Sequence, residues 1–191
     1  MNKEIQNIIK ELGECISKKR LRHSIGVMYT AGCMAMRYNV SVDNAYYAGI
    51  LHDCAKEYSD NELLKICKKN NVPVSDFEKE NAFLLHGKAG ACLAAKRYGI
   101  TDENILDPIR YHTTGRVAMS VPEQIIFIAD YIEPNRAMFD GLEEIRHMAF
   151  VDLDKACAMV IENCINYIKS TGRLNLGEDT IKTYDYYKKY L

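Results

Sequence analysis

At 191 residues, with 48% apolar and 27% charged side chains, the chain has the length and make-up of one globular domain and is short for two. A formal net charge of -1 supplies no basic field to gather nucleic acid, and no stretch is long and apolar enough to span a membrane, so neither partner is expected. The N-terminal segment MNKEIQNIIKEL mixes charge and apolar residues at helical spacing instead of forming a signal-peptide core, which makes the cytoplasm the expected compartment.

Helical periodicity dominates throughout and predicts an all-α fold. It marks helices near 3–16 and 19–38, then one from a Ser41 cap to about Cys54. A helix near 60–70, with Asp60 as candidate cap, ends at Asn70-Asn71-Val72-Pro73. A short helix near 75–84 precedes one from His86 to Tyr98, which Gly99 terminates. The next runs from Thr101 to about His112, with Pro108 as an expected kink or break. After a loop over Thr113 to Val121, Pro122 opens a helix to about Ile132. Helices near 141–150, 152–170 and 178–189 complete one helical bundle over 1–191, with the last segment, 159–191, packed on it. The tyrosine-rich end TYDYYKKYL reads either as a homodimer contact or as a solvated terminal helix.

Seven cysteines, with no CxxC pair and irregular spacing, argue against a disulfide framework or a thiolate metal site and for small buried hydrophobes. Cys54, directly after His52-Asp53, is read as packing.

Four of the five histidines fall on small apolar helix faces. His23 shares a face with Gly26, Val27 and Thr30; His52 with Ala45, Ala48 and Gly49; His86 with Ala89 and Gly90; His112 with Ile105 and Pro108. Asp130 lies in IIFIADYI, a run expected to be almost wholly buried, where a lone carboxylate costs several kcal/mol or more. A metal held jointly with the histidines would compensate it, as would Arg136 or Arg110. Each signal has an ordinary structural alternative, and their conjunction favours a metal centre. His147 has no companion motif and reads as structural or surface.

KRLRHSIGV (19–27), AYYAGILHDCAK (45–56), LLHGKAGA (84–91), IRYHTTGR (109–116) and IADYIEPNR (128–136) together resemble the HD-domain superfamily of metal-dependent phosphohydrolases, and within it the YqeK group of symmetrical bis(5'-nucleosyl)-tetraphosphatases. The likeness extends from about residue 18 to about 158. It implies a helical fold and one or two metal ions, iron before manganese or zinc. The first metal would be held by His23, His52, Asp53 and Asp130, the second by His86 and His112, with Asp53 bridging. It further implies attack of a metal-bound hydroxide on phosphorus, splitting diadenosine tetraphosphate, a dinucleoside polyphosphate, into two ADP.

Around these ligands the expected phosphate contacts are Arg20, Arg22, Arg116 and Arg136. Thr113, Thr114 and Gly115 would offer hydroxyl and N–H groups, or form an ordinary turn. Lys56 either reaches phosphate or pairs with an acid such as Glu57. Glu133 either orients a ligand or arginine, or serves as a general acid. Competing expectations are an HD phosphohydrolase acting on a nucleoside monophosphate or guanosine alarmone, and a nucleotide-binding sensor without turnover.

Overall fold

In the computed structural model, residues 3–172 and 176–191 are described, and no strand occurs among them. Helix α1 spans Lys3–Gly13 and buries Ile5, Ile8 and Leu12 at the spacing of one face. It stops at Gly13, a turn short of the expected end. Ser17 then caps α2 (Lys18–Arg37) by accepting from the N–H of Arg20. Ser41 caps α3 (Val42–Leu51), as its sequence position suggests.

α2 and α3 pack main chain against main chain. A Cβ on Gly49 would stand 2.7 Å from the Cα of Met28, so only glycine allows this approach. The same device recurs between α6 (His86–Tyr98) and α7 (Glu103–Tyr111), where a Cβ on Gly87 would stand 2.8 Å from the carbonyl oxygen of Arg110. These two helix pairs carry the four inward histidines.

Several boundaries differ from expectation. Ser59, not Asp60, caps α4 (Asp60–Lys69), through a capping box with Glu62. The 75–84 segment divides into α5 (Asp76–Glu80) and a 3-10 turn, Ala82–Leu85. Helix α7 runs through Pro108 unbroken. The carbonyl one turn before Pro108 belongs to Asn104, which is exposed in the first turn, where water can take the lost hydrogen bond.

A Ser120–Glu123 capping box starts α8 (Val121–Ile132), whose Ile125–Ala129 stretch is buried as predicted. α9 (Leu142–Met148) and α10 (Leu153–Thr171) close over it, and α11 (Glu178–Tyr187) returns along α10. The terminal tyrosines pack, wholly or in part, on the chain's own helices. Tyr187 is fully buried, and its hydroxyl accepts from the N–H of Met119 at 2.9 Å. Tyr184, Tyr186 and Tyr190 pack against the chain's own core. No helix among the described residues is long and apolar enough to cross a membrane.

Candidate metal centre

Four imidazoles and two carboxylates meet where α2, α6, α7, α8 and the end of α3 converge. His52 is completely buried, His86 and His112 nearly so, and His23 is 9% exposed. Three of the rings are fixed the same way. Nδ1 of His52 lies 2.7 Å from the carbonyl oxygen of Gly49, that of His86 2.7 Å from Phe83, and that of His112 2.8 Å from Ile109. In each case a carbonyl three residues back accepts the Nδ1 proton, which points Nε2 at the cluster. His23 reaches the same result through a carboxylate: Nδ1 sits 3.1 Å from Oε1 of Glu133.

Asp53 divides its two oxygens between two sets of imidazoles. Oδ2 faces His52 at 3.4 Å and His23 at 3.8 Å. Oδ1 faces His86 at 3.3 Å and His112 at 3.5 Å. Asp130 completes the first set, with Oδ1 2.9 Å from Nε2 of His23 and 3.7 Å from Nε2 of His52. The six residues singled out in the sequence therefore come together as two half-sites sharing one carboxylate.

The donor atoms fit metal ions. Nε2 of His23 and of His52 are buried and face carboxylates without a well-directed hydrogen bond. In the other half, Nε2 of His86 and of His112 stand 3.0 Å apart although both Nδ1 protons are already committed, so two lone pairs point at the same space. A cation there resolves both problems. Ligand atoms of His23, His52 and Asp130, and of His52, Asp53 and His112, are close enough to hold an ion. An imidazole and carboxylate set suits iron, manganese or zinc.

The electrostatics without metal are those of internal ion pairs. Burial alone would push the His52 imidazolium down, but Asp53 and Asp130 more than offset it and hold its pKa up at about 10. Asp53, buried, and Asp130, at the edge of the cluster, are held well below the usual carboxylate range by the facing histidines despite their desolvation. Burial outweighs the facing Asp53 carboxylate and, with the charges of His112 and Lys56, pushes His86 down to about 4. Burial, and secondarily the charge of Asp53, lifts the Cys54 thiol to about 12, and its Sγ donates weakly to the carbonyl of Gly90. It is a packed thiol, not a reactive one.

Around the ligands the cations fall into two groups. Arg20 pairs with Oδ2 of Asp53 at 2.5 Å. Arg136 holds Asp130 twice, through Nε to the main-chain oxygen at 2.9 Å and Nη2 to Oδ1 at 2.7 Å. The Asp130 side chain is 23% exposed, less buried than its apolar neighbours imply, because it borders the opening. Arg20, Arg22 and Arg136, with Lys19 and His23, line an open cleft on the α2 side. Lys56 turns inward, its Nζ 3.1 Å from Nε2 of His86, while Glu57 accepts instead from the N–H and hydroxyl of Ser17. Loss of solvent around its head, outweighing Asp53 and Asp130, lowers the Lys56 pKa.

The HTTGR segment is split. Thr113 belongs to the centre, its Oγ1 3.1 Å from His86 Nε2 and 3.3 Å from His112 Nε2. Thr114 bonds within the turn to the carbonyl of Gly115, which sits at φ 64. Arg116 is not grouped with the cluster. Its Nε and Nη2 hold buried Glu123 at 2.6 and 2.9 Å, a fork that secures the N-terminus of α8. Glu133 lies behind His23. Hydrogen bonds from Asn135 and His23 outweigh its burial and hold its carboxyl low, so near neutral pH it has no proton to donate. His147 is exposed and away from these groups.

A small opening of about 110 Å³ leads to the half-site of His86 and His112. Besides the two histidines and Asp130 it is lined by Lys56 and Thr113 and by Phe127, Tyr131, Val160 and Cys164. Sequence reading missed this apolar wall, because residues on α8 and α10 meet only in the fold.

The profile of the HD domain family matches residues 20–135. A symmetrical bis(5'-nucleosyl)-tetraphosphatase of Bacillus subtilis is 37% identical over 171 residues, covering 90% of each chain. One of Halalkalibacterium halodurans is 38% identical over 170 residues, covering 89% of each. A crystal structure from Clostridium acetobutylicum, described as an HD superfamily hydrolase involved in NAD metabolism, superposes with a TM-score of 0.92 at 41% identity, covering 96% of each chain.

Proposed function

The chain belongs to the HD domain family, and from that premise we propose that it hydrolyses diadenosine tetraphosphate at its central anhydride, giving two ADP. The observation that carries the reading beyond family membership is Asp53, whose two oxygens face two separate sets of imidazoles. That is the arrangement a two-metal phosphohydrolase requires.

His23, His52, Asp53 and Asp130 would hold one ion, and His86, His112 and Asp53 the other, with iron the proposed metal. Two such ions would supply charge to neutralise phosphate oxygens and to activate water. The protein's own groups do the rest. Carbonyls of Gly49, Phe83 and Ile109, and the carboxylate of Glu133, keep the four rings oriented. Lys56 and Thr113 stand at the opening to meet one end of the polyphosphate. Arg20 and Arg136, held on Asp53 and Asp130, are placed to take its oxygens from the other cleft, with Arg22 at the rim. ADP is a fair leaving group once its charge is held by these cations.

The test is a product assay on the purified protein with diadenosine tetraphosphate, with and without added iron or manganese. Two ADP as sole products support the reading. AMP plus ATP would refute the central cut, and no turnover with any metal would refute the activity.

A further inference from the structure

The opening beside Lys56 has an apolar side that metal and phosphate chemistry do not use. Tyr131 forms part of it and carries Phe139 edge-on, with ring centroids 5.2 Å apart. Phe139 is 36% exposed, and its neighbour Met138 is 65% exposed. The segment bearing them follows Arg136, which is tied to Asp130, and is fixed again where the side-chain amide of Asn163 donates to the carbonyl of Asp140 at 3.0 Å. Both ends of this short path are thus held, and Phe139 is partly exposed against Tyr131, which lines the same opening as Lys56.

We propose that Phe139, backed by Tyr131, is the stacking surface for one purine base of the substrate and so a specificity-determining residue. The inference rests on the phosphohydrolase reading. Charges and metals alone recognise any polyphosphate. Preference for a nucleoside needs a flat apolar surface within reach of the bound phosphates. The cavity beside Lys56 is small and opens outward beside Tyr131, so a base attached to a phosphate held there can extend past Tyr131. The cleft on the α2 side is lined by Lys19, Arg20, Arg22 and Arg136, with no phenylalanine or tyrosine among the described residues around it, so it offers charge without a stacking face. Both rings are partly exposed in the free protein, Phe139 the more so, and a base laid against Phe139 would cover what water now touches.

The experiment compares binding of ADP and of inorganic pyrophosphate to the metal-loaded protein by calorimetry, for wild type, Phe139→Ala and Phe139→Trp. We expect Phe139→Ala to weaken ADP about 10-fold, the lower part of the range for loss of one stacked base, with pyrophosphate unchanged. Phe139→Trp should restore ADP binding. Phe139→Leu serves as a second variant that keeps apolar bulk without a π-face, and it should resemble Phe139→Ala. ADP affinity within twofold of wild type in Phe139→Ala would overturn the proposal, as would an equal loss for pyrophosphate or failure of wild type to bind ADP. The two readings fail separately. ADP binding that depends on Phe139 without hydrolysis of diadenosine tetraphosphate would sink the activity and keep the base site. Hydrolysis indifferent to Phe139 would do the reverse.

Discussion

His86 and His112 bring their Nε2 atoms within 3.0 Å of each other while both Nδ1 protons are donated to main-chain carbonyls. In the metal-free protein the Lys56 ammonium and the Thr113 hydroxyl face this pair, where a metal ion would engage both rings. Replacing either by Ala should remove about one metal equivalent by elemental analysis and reduce hydrolysis of diadenosine tetraphosphate by at least about 100-fold. The helical circular-dichroism spectrum should stay unchanged, because the lost ring leaves the Gly87 contact in place. Full activity in both variants would rule out a second ion.

Metal binding should release a proton from one half-site and not the other. In the metal-free protein His52 has its pKa raised to about 10, so at pH 7 it is an imidazolium that an ion must deprotonate. His86, lowered to about 4, is already neutral. Affinity at the His52 half should therefore rise with pH, up to about tenfold per unit between pH 7 and 9. Calorimetry in buffers of different ionisation enthalpy should detect the proton. The stability of the metal-free form has the opposite sign. The raised His52 contributes fully below its unfolded value near 6.5 and loses that contribution as pH climbs towards 10. The depressed Asp53 and Asp130 contribute above their unfolded value near 3.8 and lose it on acidification. Chelated protein should accordingly melt at a lower temperature at pH 9 than at pH 6.

Glu133 should behave as the partner that holds His23, not as a proton donor. Glu133→Gln is expected to weaken the metal of that half by about 10-fold and Glu133→Ala by up to about 100-fold, with excess metal restoring turnover. A general acid would show itself differently, as a lost alkaline limb in the pH–rate profile that added metal does not repair.

Arg116 and Glu123 should matter for stability. Glu123 is 1% exposed and accepts from both Arg116 and the N–H of Ser120, so Glu123→Ala should cost about 2 kcal/mol, discounted because the arginine end is 42% exposed. Arg116→Ala should lower the melting temperature while leaving KM within about threefold. A KM rise of tenfold or more without loss of stability would return Arg116 to the phosphate contacts expected from HTTGR.

How far the sequence can be read follows from what is local. The helices, the Ser41 cap and the inward faces of the four histidines come from spacing within single segments, and all stand in the structure. The six candidate ligands are legible because titratable groups on small apolar faces gain little from packing alone, and family resemblance adds their proposed grouping. What escapes is pairwise and long-range. Nothing near Arg116 announces that Glu123, seven residues on, will take its fork, or that Ser59 and not Asp60 will cap α4. Asp130 reads as fully buried because its neighbours are, yet it borders an opening made by α10, some thirty residues later. Lys56 facing His86 instead of Glu57 depends on Ser17, forty residues away from Glu57, having claimed that carboxylate.

The contacts at Gly49 and Gly87 place main chain on main chain, with no side chain between the helices to yield. The imidazoles are pinned in turn to carbonyls of those same helices and the adjoining turn. Half of the ligand shell is thus as stiff as the backbone. An ion of a different radius has to be accommodated by Asp53 and Asp130, whose carboxylates can rotate or exchange one oxygen for two. Tolerance for one metal over another is then a matter of carboxylate compliance, and substitutions that alter it belong around Arg20 and Arg136, which restrain those two groups, more than around the histidines.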